Sequence, residues 1–298
     1  MSANPTSAIA IPQSAASIWR TVLGRVLRNP LGIFGLAIVA LAILAALFAP
    51  QIAPYDPYQQ ILAERLRGPS PAHLMGQDDL GRDILSRALF GTRVSLAVGF
   101  ITIAISALAG MLVGAIAGYF GGWVDEILMR LTDILLAFPG ILLAIAIMAI
   151  LEPSFNNVLI ALCIVGWKGY ARLVRGEVLK EKEKEYVQAA RALGYSRTRI
   201  IVFHLLPNTL NPVFVMATLG IAGMIISEAG LSFLGLGTQP PTPSWGGMLS
   251  DGTNYFWEAP HMTIFPGLAI MILVLGFSFL GDALRDALDP HIKYYSES

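Results

Sequence analysis

The sequence predicts an all-α protein that crosses a membrane six times. Of its 298 residues, 55% are hydrophobic and only 13% are charged, whereas a soluble domain carries about 25% charged residues. The apolar residues form runs of about 18 or more, the length that a helix needs to cross a bilayer. We predict six membrane spans, at residues 31–48, 95–119, 131–151, 157–171, 213–236 and 264–284.

The first span is predicted to be a retained anchor. Its apolar core of about 18 residues exceeds the 7–15 usual for a cleaved signal peptide. Residues 1–30 would then form an N-terminal tail before a membrane domain at 31–298. Within the tail, residues 17–29 either form a helix on the inner membrane surface or simply flank the first span.

Lys and Arg residues predict the orientation of the chain, because they accumulate on the cytoplasmic side. With the N-terminus inside, fourteen of the 20 Lys and Arg residues lie inside and five lie outside. Both termini are therefore predicted to be cytoplasmic. The outer loops would be residues 51–93 and 237–263, and the main inner loop would be residues 172–211.

The first outer loop contains a charged motif, Gly76–Arg87. Its acidic residues Asp78, Asp79 and Asp83 suggest calcium, but the spacing and the closing Glu of an EF-hand are missing. We therefore favour a salt-bridged turn that leads into an interfacial helix, with acids that match the arginines of this loop.

Two residues inside the spans are candidates for a translocation path or gate. Pro139 is expected to kink the third span, either as a structural kink or as a gate hinge. Glu228 lies in the fifth span, where an ionisable group is costly and suggests function. Near the outer end, however, it could also reach water or cap the backbone near Gly230. Lys168 is predicted to snorkel from the fourth span to the inner interface, without a role in the path.

The inner loop contains the most informative segment of the chain, residues 185–208. Its helical stripe consists of Tyr186, Ala189, Ala190 and Leu193. Gly194 is expected to end this helix, Ser196 to begin a second one and Pro207 to limit its continuation. Small side chains next to a sharp turn suit docking into a groove of a partner, although a positively charged inner loop could also be merely solvated.

The sequence offers no enzymatic centre. It has no phosphate-binding loop, no His-Glu-x-x-His and no Gly-x-Ser-x-Gly motif. The four scattered histidines and the lone Cys163 do not suggest a metal site. We therefore predict no catalytic, cofactor-binding or metal-binding residues, and the zero net charge makes nucleic acid an improbable partner.

The inner segment resembles the cytoplasmic signature of inner-membrane permeases of binding-protein-dependent ABC importers. That signature has Glu-Ala-Ala, a Gly four residues later and a final Ile-x-Leu-Pro. The matching positions are Ala189, Ala190, Gly194, Leu206 and Pro207. Gln188 stands in place of Glu and His204 in place of Ile, so an ion pair at position 188 is in doubt.

Three further stretches resemble the C-type permease subunit of the dipeptide and oligopeptide branch. They are residues 76–87, residues 231–237 with 240–245, and residues 281–290. The resemblance covers nearly the whole chain and implies the type I importer fold in the bacterial inner membrane.

The resemblance implies a chain that forms half of a path for peptides or peptide-like solutes. Its partners would be a second homologous permease, two cytoplasmic ABC ATPases that carry ATP and Mg²⁺, an extracytoplasmic substrate-binding protein and the lipid bilayer. Residues 185–193 would be the coupling helix. The implied ATPase-coupling residues are Tyr186, Gln188, Ala189, Ala190, Arg191, Gly194, Leu206 and Pro207.

Two other classes of function compete with this hypothesis. A stand-alone secondary transporter or channel would show inverted repeats and interrupted helices with polar residues near the midplane. No convincing repeat relates residues 31–151 to 157–284. A membrane-embedded hydrolase is disfavoured because the sequence lacks a nucleophile–base or metal constellation. The substrate itself, whether dipeptide, oligopeptide, glutathione, metal chelate or opine, is not specified.

Overall fold

The structure of the chain is a computed structural model that describes residues 22–288. The described part is built from helices joined by loops. In chain order the helices are α1 (Pro30–Ile52), α2 (Ile84–Phe120), α3 (Gly122–Ala137), α4 (Gly140–Met148), α5 (Phe155–Glu181), α6 (Glu185–Ala192), α7 (Arg197–Phe233), α8 (Trp245–Thr253) and α9 (His261–Leu288).

The six predicted spans correspond to these helices. α1, α2, α5, α7 and α9 are each long and apolar enough to cross a membrane. α3 and α4 pass the same test only as a pair, with an 89° bend between them. The prediction of an all-α polytopic protein is confirmed, with the third span broken into two helices.

The second span begins well before its predicted start at residue 95. Asp83 is the N-cap of α2, and its Oδ2 accepts hydrogen bonds from the Ser86 backbone N at 2.8 Å and from Ser86 Oγ at 2.7 Å. This cap fixes the helix start at Ile84. The helix that was predicted to lie in the interface is therefore the first part of α2 itself.

Small residues bring α2 against α5. A Cβ on Gly110 would lie 2.4 Å from Tyr170 Cβ, and one on Gly114 would lie 2.4 Å from Ala171 O. Only glycine permits this approach, which places the two helices in their closest contact. Around it lies the main core of the chain, to which α1, α7, α8 and α9 also contribute.

The break in the third span is stabilised by α5. Pro139 supplies no backbone N–H, so carbonyl groups in the preceding turn lose their helical donors. Lys168 Nζ donates to Leu135 O at 2.7 Å and lies 3.5 Å from Phe138 O. The predicted kink is confirmed as a full break, whereas the predicted snorkelling of Lys168 is wrong, because its ammonium group is buried against these carbonyl oxygens.

Two ion pairs extend this attachment of α3 to α5. Arg175 contacts Asp125 through both carboxylate oxygens at 2.5 Å, and Arg172 pairs with Asp133. With Lys168, the two arginines lie on one face of α5. Asp133 can pair with Arg172 because α3 runs alongside α5.

Pro207 does not end the helix that begins at Arg197. The turn before it, Ile201–Leu205, is π-helical, and the Leu206 N–H bonds to Ile201 O. A proline ring collides with the carbonyl four residues earlier in a regular α-helix, and the wider turn accommodates that ring. The expectation that Pro207 limits the helix is therefore wrong, and α7 continues to Phe233.

The N-terminal tail is described only from residue 22. Residues 22–26 are helical, and Val22 and Val26 are buried against Ala283 and Ala287 of α9. Arg25 also donates to Ala287 O at 2.8 Å. The apolar side of this segment thus packs on the protein. Residues 17–21 of the predicted helix, and residues 289–290 of the stretch that resembles the family, lie outside the described residues.

Candidate functional site: the segment between α5 and α7

α6 is a short, regular helix with a glycine-dependent end. Gly194 adopts φ +78°, in the left-handed region that favours glycine. The Gly194 N–H bonds to Arg191 O at 3.0 Å and the Tyr195 N–H bonds to Ala190 O at 3.1 Å. These bonds close the last turn in the manner of a Schellman motif. The predicted C-cap at Gly194 is confirmed.

The second helix of this segment also begins as predicted. Ser196 is its N-cap, and Ser196 Oγ accepts a hydrogen bond from the Arg199 N–H at 3.4 Å. Beyond Ser196 the backbone enters α7 and reaches the membrane span without interruption. The segment is therefore helix, glycine corner and helix, with the second helix continuous with a membrane span.

The predicted stripe on α6 is divided between two faces. Ala190 is buried, as is Val187, and both pack into the core of the chain itself. Tyr186 and Leu193 are 40% and 73% exposed, and Ala189 is exposed as well. The idea that Ala190 belongs to the same open surface as Ala189 is wrong, because the two adjacent alanines point to different sides of the helix.

The remaining sequence-predicted positions lie around the same corner. Gln188, Arg191 and Pro207 are exposed, and Leu206 is half-buried. Gln188 Nε2 donates to Glu183 O at 3.2 Å. Its amide therefore has a partner in the preceding backbone.

Tyr186 is the anchor of α6. Its hydroxyl donates to Glu181 Oε2 at 2.6 Å and accepts from Asn208 Nδ2 at 3.1 Å. Burial and the neighbouring Glu181 carboxylate raise the pKa of Tyr186 above its usual value, so the hydroxyl keeps its proton near neutral pH. Sequence reasoning missed Glu181 and Asn208, since neither belongs to the helical stripe.

Three basic residues of the segment contact the end of α2. Lys182 Nζ donates to Gly118 O at 3.1 Å. The guanidinium groups of Arg191 and Arg197 lie over the rings of Tyr119 and Phe120, 5.4 Å and 5.8 Å from the centroids. Positive charge is favourable at a helix C-terminus. These residues therefore also fix the segment to the bundle, in addition to any contact with a partner.

An open cavity of about 630 Å³ lies beside the glycine corner, between Tyr195 and His204. Phe203 lines it and is 71% exposed. Exposed apolar side chains at the rim of a cavity are typical of protein interfaces. The corner thus combines small residues, apolar anchors and basic groups on one accessible surface.

The two other candidate positions lie away from this surface. Pro139 stands at the α3–α4 break. Glu228 is completely buried, and its Oε1 accepts a hydrogen bond from Ser232 Oγ at 2.7 Å. Among the described residues, its second oxygen has no hydrogen-bond partner. Glu228 therefore lies inside this chain and reaches neither water nor an exposed face.

The charged motif at the opposite end forms a buried network. Asp78 Oδ2 lies 2.6 Å from Arg82 Nε and 3.4 Å from Arg87 Nε. Asp78 Oδ1 accepts from the backbone N–H groups of Leu80 and Arg82, each at 2.9 Å. The predicted salt-bridged turn is confirmed, and its acids are occupied by arginines and backbone donors.

Comparison with protein families gives two separate matches, with residues 70–109 between them. Residues 110–294 match the family described as binding-protein-dependent transport system inner membrane component. Residues 17–69 match the N-terminal transmembrane domain of oligopeptide transport permease C.

Individual relatives cover almost the full chain. The dipeptide transport system permease protein of Alkalihalophilus pseudofirmus is 48% identical over 94% of this chain and 92% of its own length. The glutathione transport system permease protein of Pectobacterium atrosepticum is 45% identical over 94% of both chains. Among solved structures, an inward-facing form of the MetNI methionine ABC transporter superposes with a TM-score of 0.55. The superposition covers 68% of this chain and 96% of the MetNI chain, at 19% sequence identity. At this identity the similarity supports the shared fold and no conclusion about function.

Proposed function

Because the chain belongs to the family of binding-protein-dependent transport system inner membrane components, in its dipeptide and oligopeptide permease branch, we propose that it imports peptides or peptide-like solutes. In this proposal the chain forms half of the translocation path, and a second homologous permease forms the other half. Relatives whose names specify dipeptide and glutathione transport support this substrate class.

The energy for transport would come from partner subunits. Two cytoplasmic ABC ATPases would bind ATP and Mg²⁺, and an extracytoplasmic binding protein would deliver the solute. The chain itself would hydrolyse no ATP. It would lie in the bacterial inner membrane with both termini in the cytoplasm, as the distribution of Lys and Arg suggests.

The observation that carries the proposal is the glycine corner after α6. We propose that Tyr186, Gln188, Ala189, Arg191 and Gly194 dock into a groove of an ATPase. The other resemblance-derived positions would support this surface from within, because Ala190 is buried, Leu206 is half-buried and Pro207 follows the π-helical turn. Pro139 would act as a hinge of the path, whereas the burial of Glu228 favours an internal structural role.

A stand-alone transporter is less consistent with these findings. It predicts interrupted helices, and the third span is indeed interrupted at Pro139. The two relatives described above, however, are both named as permease proteins of transport systems. The interruption is therefore better explained as part of the permease fold.

Purification and transport together test the proposal. The tagged chain would be isolated in mild detergent, and co-purifying proteins would be identified by mass spectrometry. We expect a second permease and ATPases with phosphate-binding loops. The complex, reconstituted with its binding protein, should then accumulate a dipeptide or glutathione only with ATP. Uptake driven by an ion gradient, by the purified chain alone, would instead favour a secondary transporter.

A further inference from the structure

A cavity of about 470 Å³ lies at the end of the bundle opposite α6, which the charge distribution predicts to be outside. It opens between α2, the start of α5 and the loop that joins α7 to α8. Its volume is within the range of small-molecule sites, about 300–1,000 Å³. The lining residues that matter here are Arg93, Val94, Phe155, Thr238 and Thr242.

Arg93 is the only charged residue among the described residues that line this cavity. Its guanidinium group lies 5.9 Å from the centroid of the Phe90 ring. Within residues 22–288 no carboxylate lies within ion-pair distance of it. The sequence had suggested that each arginine of this end has a matching acid. That expectation holds for Arg82 and Arg87, which share Asp78, and fails for Arg93.

The loop side of the cavity is formed by Thr238 and Thr242. The Thr238 N–H is bonded to Ser232 Oγ at 3.3 Å, and Thr238 Oγ1 is shielded from solvent. Thr242 is exposed. Recognition of a ligand in this cavity therefore rests on Arg93 and on the Thr242 hydroxyl.

The walls determine which ligand suits the cavity. Arginine in a site without acids prefers a carboxylate or a phosphate, which it can bind through two parallel hydrogen bonds. Val94 and Phe155 add apolar surface, and Thr242 adds a hydroxyl group. A carboxylate joined to an amide and an apolar side chain is the chemistry of the C-terminal end of a short peptide.

We propose that this cavity is a reception site for the C-terminal carboxylate of the peptide-class solute, with Arg93 as the group that binds it. The inference rests on the proposed function, because only a peptide importer would receive such a ligand here. It adds a specific recognition step within this chain, at the entrance where the binding protein would release the solute.

The cavity can be probed directly by protection of a cysteine. In the complete complex, Thr242→Cys would be placed in a Cys163→Ser background and labelled with a membrane-impermeant maleimide. The probes are the dipeptide Ala-Phe and its C-terminal amide, which differ only at the carboxylate. Ala-Phe uptake would be measured in the same vesicles.

We expect Ala-Phe to slow the labelling and the amide to have little effect. Arg93→Gln should raise the concentration of Ala-Phe needed for protection about tenfold or more, as the loss of a charged hydrogen bond implies. Arg93→Lys should retain part of the effect. The matched control is Arg65→Gln, which removes another exposed arginine that lies over a ring, that of Tyr255, at the same 5.9 Å. This control should leave the protection unchanged.

Several results would overturn the inference. Equal protection by Ala-Phe and its amide would exclude carboxylate recognition, and protection that persists in Arg93→Gln would exclude Arg93. A Thr242→Cys group that does not react in the complex would mean that the sister permease covers the cavity, which would then be an interface. Uptake without protection would reject this site while leaving the proposed function intact. Protection without uptake would support the site and count against peptide import.

Discussion

The Tyr186 hydroxyl donates a 2.6 Å hydrogen bond to Glu181 Oε2 and thereby joins the first turn of α6 to the last turn of α5. On its other side it accepts a hydrogen bond from Asn208 of α7. One side chain therefore connects the proposed docking helix to both membrane helices that flank it. A displacement of α6 would be passed to α5 and α7 through this contact.

Tyr186→Phe should weaken the connection through which a displacement of α6 reaches α5 and α7. The substitution removes only the hydroxyl and leaves the ring. A hydrogen bond to a charged group contributes about 1.5–3 kcal/mol, and less here because Tyr186 is 40% exposed. We expect fewer solute molecules transported per ATP hydrolysed by the reconstituted complex. Tyr58→Phe is the matched control, because Tyr58 is exposed on the loop between α1 and α2. An unchanged transport-to-ATP ratio for Tyr186→Phe would contradict the argument.

Gly194→Asp should abolish uptake while the chain still inserts into the membrane. No atom lies within 4 Å of a Cβ built on Gly194, so the fold has room for the side chain. The left-handed backbone costs about 1–2 kcal/mol for residues with a Cβ, and Asn and Asp tolerate it best. The decisive measurement is the amount of ATPase recovered with the membrane-inserted variant.

Gly194→Asn separates the effect of the backbone strain from the effect of the negative charge. It has the same size and a similar backbone cost but no charge. If Asn is tolerated and Asp is not, a negative charge is excluded from the docking surface. Normal uptake with well-expressed Gly194→Asp would show that nothing docks at this corner.

Lys168→Met should destabilise the chain through the α3–α4 break. Methionine has a similar length but donates no hydrogen bond, so Leu135 O would lose the donor that replaces the missing N–H of Pro139. We expect a loss of about 1–3 kcal/mol, the cost of a polar group left without its partner, measured by unfolding in detergent. Lys180→Met is the control, because Lys180 forms an exposed pair with Glu177 at 2.8 Å. Equal stability of the two variants would argue against the role of Lys168.

Glu228→Gln should be tolerated, whereas Glu228→Ala should not. Glutamine preserves the volume and an oxygen that can accept the Ser232 hydrogen bond. Alanine leaves a buried cavity, and cavities of this kind typically cost about 2–5 kcal/mol. Assembly and uptake would be compared for the two variants. A Gln variant that assembles normally but fails in uptake would show that the Glu228 carboxyl group takes part in transport.

Asp78→Asn should disrupt the folding of the outer end. Asp78, Arg82 and Arg87 are each about 5% exposed or less, and removing one member of a buried charge network costs about 3–5 kcal/mol. We expect faster proteolysis of the loop between α1 and α2. Arg67→Gln is the control, because Arg67 is 60% exposed and its pair with Glu64 is a surface contact worth about 0–1 kcal/mol. Similar proteolysis of both variants would contradict the argument.

The sequence was a good guide where one local property decides the structure. Runs of apolar residues located the spans, and Gly194 and Ser196 marked helix ends correctly because capping depends on neighbouring atoms. Pro139 was identified as a point of bending for the same reason. The 89° angle of the bend was not foreseeable. A sequence pattern does not show that a donor from another helix, Lys168, bonds to the Leu135 carbonyl at the break.

Misjudged positions are those whose surroundings come from distant parts of the chain. Ala190 matched the helical stripe, but its burial depends on core residues that lie far away in the sequence. The position of Lys168 near the end of its span suggests that it reaches water, but its ammonium group bonds to a carbonyl oxygen of α3. Glu181 and Asn208 carry no motif, and only the folded chain brings them both to Tyr186.

The π-helical turn Ile201–Leu205 lets α7 absorb one residue more than a regular helix would hold over the same stretch. A π-turn contains one residue more than an α-turn. Loss of one residue at this turn would therefore restore ordinary α-helix, while the side chains of the membrane part keep nearly the same orientation relative to Arg197. One residue lost or gained elsewhere in α7 would instead turn every later side chain by about 100°. This turn is thus the point of α7 at which the length of the chain can change by one residue with the least effect on the span.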